Sequence, residues 1–495
     1  MMAGMQLRRR EYRGWWSGIV CIGMLVATAG IAQRPAVSTA TPTATLSATT
    51  PADASAVTPC TDFYLFVNGA WIAQTVLPVA PPDTVRTLAV RRDTMRVDNF
   101  TVVESGVRQI LVKILTDART AALAGTKDPI TRVLGLFYNS CLVTPPADSA
   151  PGAKERDGGV ARCVAATDDA LGTALGRAYV RTVVAPATVA RVDTLAERLR
   201  SAMRGRIVAL TWMSPATKRA ALAKLSRMRF RIGNPDADEE YERLTLSPTD
   251  FEANRRSAEY VEYQHQLKEF GAAPDQTGAN TAWLYRQYTV NAQYIVTANI
   301  LEIPAVLFQP PLFDPAHDDV GNYAGLGHII AHEITHAFDT NGAPFDSVGR
   351  LNNWWAAGDT IPFQREVQKL VAQYDAYVAI DSQHVSGSLT VNENIADLGG
   401  LNVAFDAYMH TLGKTPRERR DGETPAQRFF KAFARTWRAK GSPLFVQQQA
   451  AEDVHAPPRW RVNGVLANVP AFARAFGCRA GDAMVLPEGR RASVW

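Results

Sequence analysis

Two histidines four positions apart, with a glutamate directly after the first, constrain this chain more than any other feature. In the stretch HEITH at 332–336, an α-helix would place His332 and His336 on the same face, one turn apart. On such a helix the two imidazoles can bind one zinc ion while Glu333 moves protons, which indicates a metallopeptidase. The alternatives are a pair of ordinary core histidines, or a chance match among the 8 histidines of the chain.

The residues around this stretch have the spacing of a two-faced helix. Ile329 and Glu333 share one face with both histidines. The opposite face is apolar and consists of Leu326, Ile330, Ile334 and Ala337. The pair Asn341-Gly342 is a stop signal, so the helix is predicted to end there.

A third zinc ligand is predicted in the segment TVNENIAD at 390–397. Glu393 is the candidate, because three protein ligands leave one zinc position for the water that becomes the nucleophile. Asp397 follows four positions later, so on a helix both carboxylates face the same way, and Asp397 can accept the second N–H of a ligating histidine. The pair Gly399-Gly400 predicts that this helix is buried and closely packed.

HEITHAFD followed by NENIADLGGL resembles the neprilysin family of zinc metallopeptidases. Further motifs of the same family follow in the expected order, namely VNAQY at 290–294, FQPPLF at 308–313, FDSVGRLNNWW at 345–355, DVHAP at 453–457, and FGCRAGDAM at 476–484 before the terminal Val-Trp. The resemblance covers residues 59–145 and 161–495. It implies a mainly helical α+β fold, a thermolysin-like zinc metallopeptidase domain with a small edge sheet and a reduced helical lobe.

The resemblance also implies a role for each matching residue in hydrolysing peptide bonds. The ligands of one zinc ion would be His332, His336 and Glu393. Glu333 would take a proton from the attacking water and return it to the leaving amine. His455 would stabilise the negative charge of the intermediate, with Asp453 as the partner of its imidazole.

Substrate-binding residues follow from the same motifs. Asn291 and Ala292 would lie on an exposed strand that pairs with an extended peptide, and Arg461 would hold a substrate carbonyl. The pocket after the scissile bond would be lined by Ile329, Trp437, Phe100 and Leu312. We therefore expect cleavage before bulky apolar residues, although ordinary core packing is the alternative for each pocket residue. Gln293 departs from the family pattern, which has an aromatic residue there.

The amino terminus predicts export. Several arginines in residues 8–13 precede an apolar run at 15–32, which is either a cleaved signal peptide or a retained membrane anchor. Residues 33–58 form a linker rich in Thr, Ala and Pro. The folded part is expected in the periplasm, outside the cell, or anchored and facing outside the cytoplasm. The sequence makes no prediction of oligomeric state.

Net charge excludes one class of partner. The formal charge of the chain is +5, and the basic residues form no stripe that would bind nucleic acid. Peptides are therefore the predicted partners.

Cysteine usage agrees with export. The chain has 5 cysteines, one of them within the apolar run. The other four suit disulfides in an oxidising compartment, and their spacing alone allows three pairings. The family resemblance selects Cys60 with Cys478 and Cys141 with Cys163.

The main departure from the family lies between Cys141 and Cys163, where relatives carry a large helical lobe over the active site. This chain has only residues 142–162 there, so we expect a first region at 59–280, truncated around 146–160, and a catalytic domain at 281–495. One hypothesis is an open cleft that admits larger substrates. Another is exposed apolar surface that needs a partner. The alternative function is an exported peptide-binding protein of the same fold with weak or no turnover.

Overall fold

The computed structural model describes residues 57–78, 96–144, 157–233, 241, 243–271, 283–316, 318–413 and 419–495. The predicted export segment at 1–32, the linker up to residue 56, and most of the truncated segment lie outside the described residues. Within the described ranges, no helix combines the length and the hydropathy needed to cross a bilayer.

The described chain is mainly helical, as predicted. Its helices are α1 (Phe63–Gln74), α2 (Asn99–Leu123), α3 (Pro129–Val143), α4 (Asp157–Val183), α5 (Pro186–Ala209), α6 (Pro215–Arg227), α7 (Phe251–Gly271), α8 (Asp319–Asn322), α9 (His328–His336), α10 (Thr360–Asp375), α11 (Gly387–Thr411), α12 (Pro425–Thr436), α13 (Pro443–Glu452), α14 (Pro458–Leu466) and α15 (Pro470–Phe476). Its strands are β1 (Arg96–Asp98), β2 (Arg229–Ile232), β3 (Gln293–Ile295), β4 (Ile300–Ile303), β5 (Val378–Ile380), β6 (Gln383–His384) and β7 (Ala439–Gly441). A π-helical turn, Tyr323–Gly327, joins α8 to α9.

Local sequence signals explain where many helices begin. The Asp98 side chain accepts the backbone N–H of Thr101, and the Thr101 hydroxyl accepts the N–H of Asp98, so two of the unpaired donors at the start of α2 are satisfied. Ser214 caps α6 in a similar way, and Pro215 follows at the first helical position. Such caps contribute on the order of 1 kcal/mol each.

A three-stranded sheet has the order β2-β4-β3, with β2 parallel and β3 antiparallel to β4. The predicted small sheet with an exposed edge is therefore present, and β3 is an edge strand. Asn291 and Ala292, however, precede β3 and do not lie on it. The reason is a tight turn, in which the N–H of Asn291 donates to the carbonyl of Thr289 at 2.8 Å.

The two helices that carry the predicted zinc ligands pack directly on each other. A Cβ atom on Gly400 of α11 would lie 2.7 Å from the backbone nitrogen of His332 on α9. A Cβ atom on Gly399 would lie 2.6 Å from Cγ2 of Thr335. The close packing predicted from this glycine pair is confirmed, and it brings the acidic face of α11 onto the histidine face of α9.

Helix α9 ends earlier than the sequence predicts. Its last residue is His336, with Ala337 as the C-cap, and the chain then folds back. The Asp339 carboxylate causes this, because its Oδ1 accepts the N–H groups of Asn341 and Gly342 at 2.8 and 2.7 Å. A Cβ on Gly342 would lie 1.9 Å from the carbonyl oxygen of His336, so this glycine permits close approach and does not stop the helix.

Both disulfides predicted from the family pattern are present. Cys60 pairs with Cys478, with the Cα atoms 5.3 Å apart, and Cys141 pairs with Cys163 at 5.6 Å. The first ties the segment before α1 to the segment after α15. By the chain-entropy estimate, closing a loop with a sequence separation of 418 stabilises the fold by about 6 kcal/mol.

Candidate metal centre and active site

The predicted ligand atoms converge at the contact between α9 and α11. The Nε2 atoms of His332 and His336 are 3.0 Å apart. Oε2 of Glu393 lies 3.1 Å from Nε2 of His332 and 3.5 Å from that of His336. All three side chains are buried or nearly so. Helical spacing places the histidines, and the glycine contact between the helices places the carboxylate.

This triangle of donor atoms fits zinc. Ligand atoms about 2.0–2.1 Å from a tetrahedral zinc ion are separated by roughly 3.3 Å, close to the three distances here. Oε2 of Glu393 is buried, and the Nε2 atoms of His332, His336 and His455 lie 3.1, 3.5 and 3.0 Å from it. Two imidazole nitrogens and a carboxylate oxygen are also a donor set that zinc prefers.

A second possible group, His328, His332 and Asp397, fits a cation less well. Oδ1 of Asp397 already accepts from Nδ1 of His332 at 2.8 Å and from Nη2 of Arg461 at 2.6 Å. The guanidinium would repel a metal ion at this position. We therefore place the candidate metal centre at Glu393 and the two Nε2 atoms.

Each candidate histidine ligand has its other ring nitrogen on a carboxylate. Asp397 accepts from Nδ1 of His332, as the sequence predicts. Asp339 accepts from Nδ1 of His336 at 2.6 Å, a contact that sequence analysis missed. Its signal was the three-residue spacing in HEITHAFD, which brings the two side chains together one turn beyond the motif. These carboxylates fix the ring orientations and leave both Nε2 atoms facing Glu393.

The carboxylate of Asp397 is itself held by Arg461, which donates through Nε at 2.7 Å and Nη2 at 2.6 Å. Burial would raise the pKa of Asp397, but Arg461 and the histidines outweigh burial and hold the pKa well below its usual range. The carboxylate is therefore ionised and is a strong acceptor for His332.

The pKa values of Glu333 and Glu393 are shifted in opposite directions. Burial raises the pKa of Glu333, although the neighbouring histidines oppose it. Burial would also raise the pKa of Glu393, but His455 and His336 lower it well below its usual value. Glu333 offers an oxygen within 4.8 Å of nitrogens of His332 and His336. A carboxylate that stays ionised, as in Glu393, is suited to bind a metal ion. A raised pKa, as in Glu333, is suited to a group that exchanges protons.

His455 closes the site from the loop between α13 and α14. Its Nε2 lies 3.0 Å from Oε2 of Glu393, and its Nδ1 lies 2.9 Å from Oδ1 of Asp453. Burial lowers the pKa of His455, but Glu393 and Asp453 outweigh burial and raise it to about 9. The ring can therefore donate a hydrogen bond at neutral pH, and the partner expected at Asp453 is in contact with it.

The structure brings two of the predicted pocket residues, Trp437 and Phe100, together beside Arg461. The guanidinium of Arg461 lies 3.7 Å from the ring centre of Trp437, whose ring is 5.6 Å from that of Phe100. Ile329 is 8% exposed on the ligand face of α9. Leu312 is 1% exposed and belongs to the hydrophobic core.

The edge strand beside the site has a polar anchor where the sequence departs from the family pattern. Nε2 of Gln293 donates to Oε2 of Glu302 at 2.8 Å, across the β3–β4 pair. Glu302 is completely buried, and Arg231 donates to its other oxygen at 3.1 Å. Asn291, two residues earlier, donates through Nδ2 to the hydroxyl of Tyr285 at 2.9 Å. The start of the strand is thus held by side-chain hydrogen bonds.

Comparisons with known proteins agree with this geometry. Two models of peptidase family M13 match the chain, one over residues 291–492 and one over 147–235. An endothelin-converting enzyme homolog from Locusta migratoria is 34% identical over 336 residues, which are 65% of this chain and 45% of that protein. Membrane metallo-endopeptidase-like 1 from Mus musculus is 33% identical over 347 residues, covering 67% of this chain and 45% of that protein.

Solved structures give the same result. Zinc metalloprotease Zmp1 of Mycobacterium tuberculosis, in complex with an inhibitor, matches with a TM-score of 0.61 and 34% identity, over 76% of this chain and 56% of that chain. This chain spans about half the length of the curated relatives that it matches. The family models, the relatives and the order of the motifs agree, and the chain belongs to peptidase family M13, the neprilysin family.

Proposed function

We propose that this protein is a zinc metalloendopeptidase that cleaves peptides. The observation that carries the proposal is the position of Oε2 of Glu393, which lies within 3.5 Å of both Nε2 atoms while each histidine's Nδ1 is held by a carboxylate. Such an arrangement orients three donors toward one point.

The zinc ligands in this proposal are His332, His336 and Glu393. Zinc bound there lowers the pKa of a water molecule toward neutrality and polarises the substrate carbonyl. Asp397 and Asp339 keep the two imidazoles in the tautomer that presents Nε2.

Glu333 is the proposed general base. Its burial favours the protonated form, so the carboxylate can take a proton from the attacking water and later give it to the leaving amine. His455 is the proposed donor to the oxyanion of the tetrahedral intermediate, since its ring carries a proton and is held by Asp453.

Substrate binding is proposed along the free edge of β3. A peptide in extended form would pair with the backbone around Asn291 and Ala292, which lie at the start of that edge. Arg461 would meet a substrate carbonyl while it stays bound to Asp397. Ile329, the half-buried ring of Phe100 and Trp437 would receive a bulky apolar side chain after the scissile bond.

Export is proposed from the arginines and the apolar run of the amino terminus and from the two disulfides, which suit an oxidising compartment. The division into a first region at 59–280 and a catalytic domain at 281–495 is proposed from the motifs that resemble the neprilysin family. Nucleic acid is not a proposed partner, because the charge of +5 is not gathered into a stripe.

Cleavage of short peptides with and without a zinc chelator tests the proposal. Glu333→Gln should keep one zinc per chain and lose about 100-fold to 10,000-fold in kcat, since it removes the base but no ligand. Exposed Glu452→Gln is the matched control and should retain full activity. Unchanged kcat in Glu333→Gln would refute the assignment of the base. Zinc and peptide binding without cleavage by the unaltered protein would instead support a peptide-binding protein.

A further inference from the structure

A buried ammonium lies beneath the loop that follows α9. Lys224, on α6, is 1% exposed. Its Nζ donates to three backbone carbonyls, those of Ala337 at 2.7 Å, Gly342 at 2.8 Å and Phe345 at 2.7 Å. These bonds use all three N–H donors of the ammonium. A side chain from a distant helix therefore fixes both ends and the middle of one loop, which we call the 337–345 loop.

The same loop contacts both helices of the proposed zinc site. Its Asp339 accepts from Nδ1 of His336 at 2.6 Å. Its Thr340 donates a backbone N–H to Oδ1 of Asn392 at 3.1 Å, and Asn392 directly precedes the third proposed ligand. A displacement of the 337–345 loop would therefore change the orientation of His336 on α9. It would also disturb the part of α11 that carries Glu393.

Burial and the surrounding carbonyls act on the charge of Lys224 in opposite directions. Burial lowers its pKa to about 7, against the opposing effect of Asp339 and Asp346. The three carbonyls need N–H donors, so they favour the ammonium. Ala337 is the C-cap of α9, where unpaired carbonyls concentrate negative charge, and a cation stabilises such a helix end. Three aromatic rings lie 5.8–5.9 Å from Nζ and shield it from water, namely Tyr294, Phe338 and Trp354.

We propose that Lys224 is a positioning residue for the zinc site. Its ammonium holds the 337–345 loop against the end of α9, and the loop holds Asp339 on His336. The inference rests on the proposed function, because it assumes that His336 binds zinc. Without the ammonium, three buried carbonyls lose their donor, and the loop must move to reach water or other donors. Asp339 then no longer fixes the imidazole, and zinc affinity falls.

Zinc affinity of the full chain, measured by competition with a fluorescent chelator, tests the proposal. Lys224→Met should weaken zinc binding by about 10-fold to 100-fold, the usual effect of losing a group that orients a ligand. It should also lower kcat with little change in KM, since no substrate contact is removed. The matched control is Lys440→Met, which removes another bond from a lysine to a carbonyl, that of Thr75 at 2.7 Å. Equal zinc affinity in Lys224→Met and the unaltered chain would overturn the proposal.

The route through Asp339 is tested by combining variants. If Lys224 acts through that carboxylate, Lys224→Met should weaken zinc binding little further when Asp339→Asn is already present. Fully additive losses would contradict this route. If Lys224→Met does not fold, Lys224→Gln can replace it in the same measurements. Lys224→Gln keeps two N–H donors, so it should lose less zinc affinity than Lys224→Met. The ligand assignment has its own test, since His336→Ala with undiminished zinc affinity would refute the proposed function whatever the Lys224 variants do.

Discussion

Replacement of Gly400 by alanine tests how the site is assembled. The new Cβ would lie 2.7 Å from the backbone nitrogen of His332 and 2.9 Å from its Cα. Ordinary contact begins near 3.4 Å, and both opposing atoms belong to backbone, so no side chain can rotate away. Helices α9 and α11 must therefore separate by about 0.7 Å, the difference between 3.4 and 2.7 Å.

Two effects should follow from this separation. Overpacking at a helix contact typically costs about 1–3 kcal/mol in the free energy of unfolding. Separation also moves Glu393 away from the two Nε2 atoms, and metal sites tolerate deviations of only about 0.2 Å. We therefore expect Gly400→Ala to be less stable in urea unfolding and to bind zinc at least 10-fold more weakly, on the order of 1.4 kcal/mol.

The matched control is Gly205→Ala in α5. A Cβ on Gly205 meets nothing within 4 Å, and the position is solvent-exposed. Alanine in a helix interior is more favourable than glycine by up to about 1 kcal/mol, so this variant should be more stable, with unchanged zinc affinity. The reasoning is refuted if Gly400→Ala also becomes more stable, or if it keeps the zinc affinity of the unaltered chain.

Four further outcomes are expected. Removal of zinc with a chelator should lower the thermal unfolding midpoint, since the metal binds only the folded chain, and re-added zinc should restore it; a midpoint independent of zinc would argue against the site. His455→Gln should lower kcat by about 100-fold with little change in KM for a short peptide, whereas a change confined to KM would show that the ring serves binding alone. Gln293→Leu should cost about 1–3 kcal/mol in urea unfolding, because Glu302 loses a donor while it stays buried. Burial already raises the pKa of Glu302, so its ionisation opposes folding. The loss of unfolding free energy in Gln293→Leu should therefore grow as the pH rises above the ordinary glutamate pKa of about 4.3. A loss independent of pH would contradict this. If the short segment between the cysteines of the second disulfide leaves the cleft open, the protein should digest a folded protein substrate as well as short peptides, and strict confinement to short peptides would count against an open cleft.

The sequence predicted the parts of the site that depend on periodicity. Spacing within one helix decides which side chains share a face, so His332, His336 and Glu333 could be grouped without a structure. The same rule grouped Glu393 with Asp397. The pair Gly399-Gly400 also allowed close helix packing to be predicted, since small residues on a buried face let another backbone approach.

Contacts between distant segments could not be predicted in this way. Lys224 precedes the 337–345 loop by more than a hundred positions, and no local pattern distinguishes it from a solvated helix lysine. Whether Leu312 lines a pocket likewise depends on how the chain after β4 packs. The predicted helix stop was wrong because glycine suits both a left-handed cap and a close approach, and only tertiary structure distinguishes them.

Charge explains why these long-range contacts are needed. Buried or partly buried carboxylates surround the candidate zinc position and need partners, since an unpaired buried charge is costly. Those of Asp397 and Asp453 have Arg461 and His455, whereas Glu393 has only imidazoles. Glu393 raises the pKa of His336 and of His455 against the effect of burial, so protons on these rings can balance its charge. Zinc and protons therefore compete for the same charge, and zinc affinity must fall as the pH falls. Carboxylates on the far side of each ring, such as Asp339, hold the imidazoles in place whichever cation is bound.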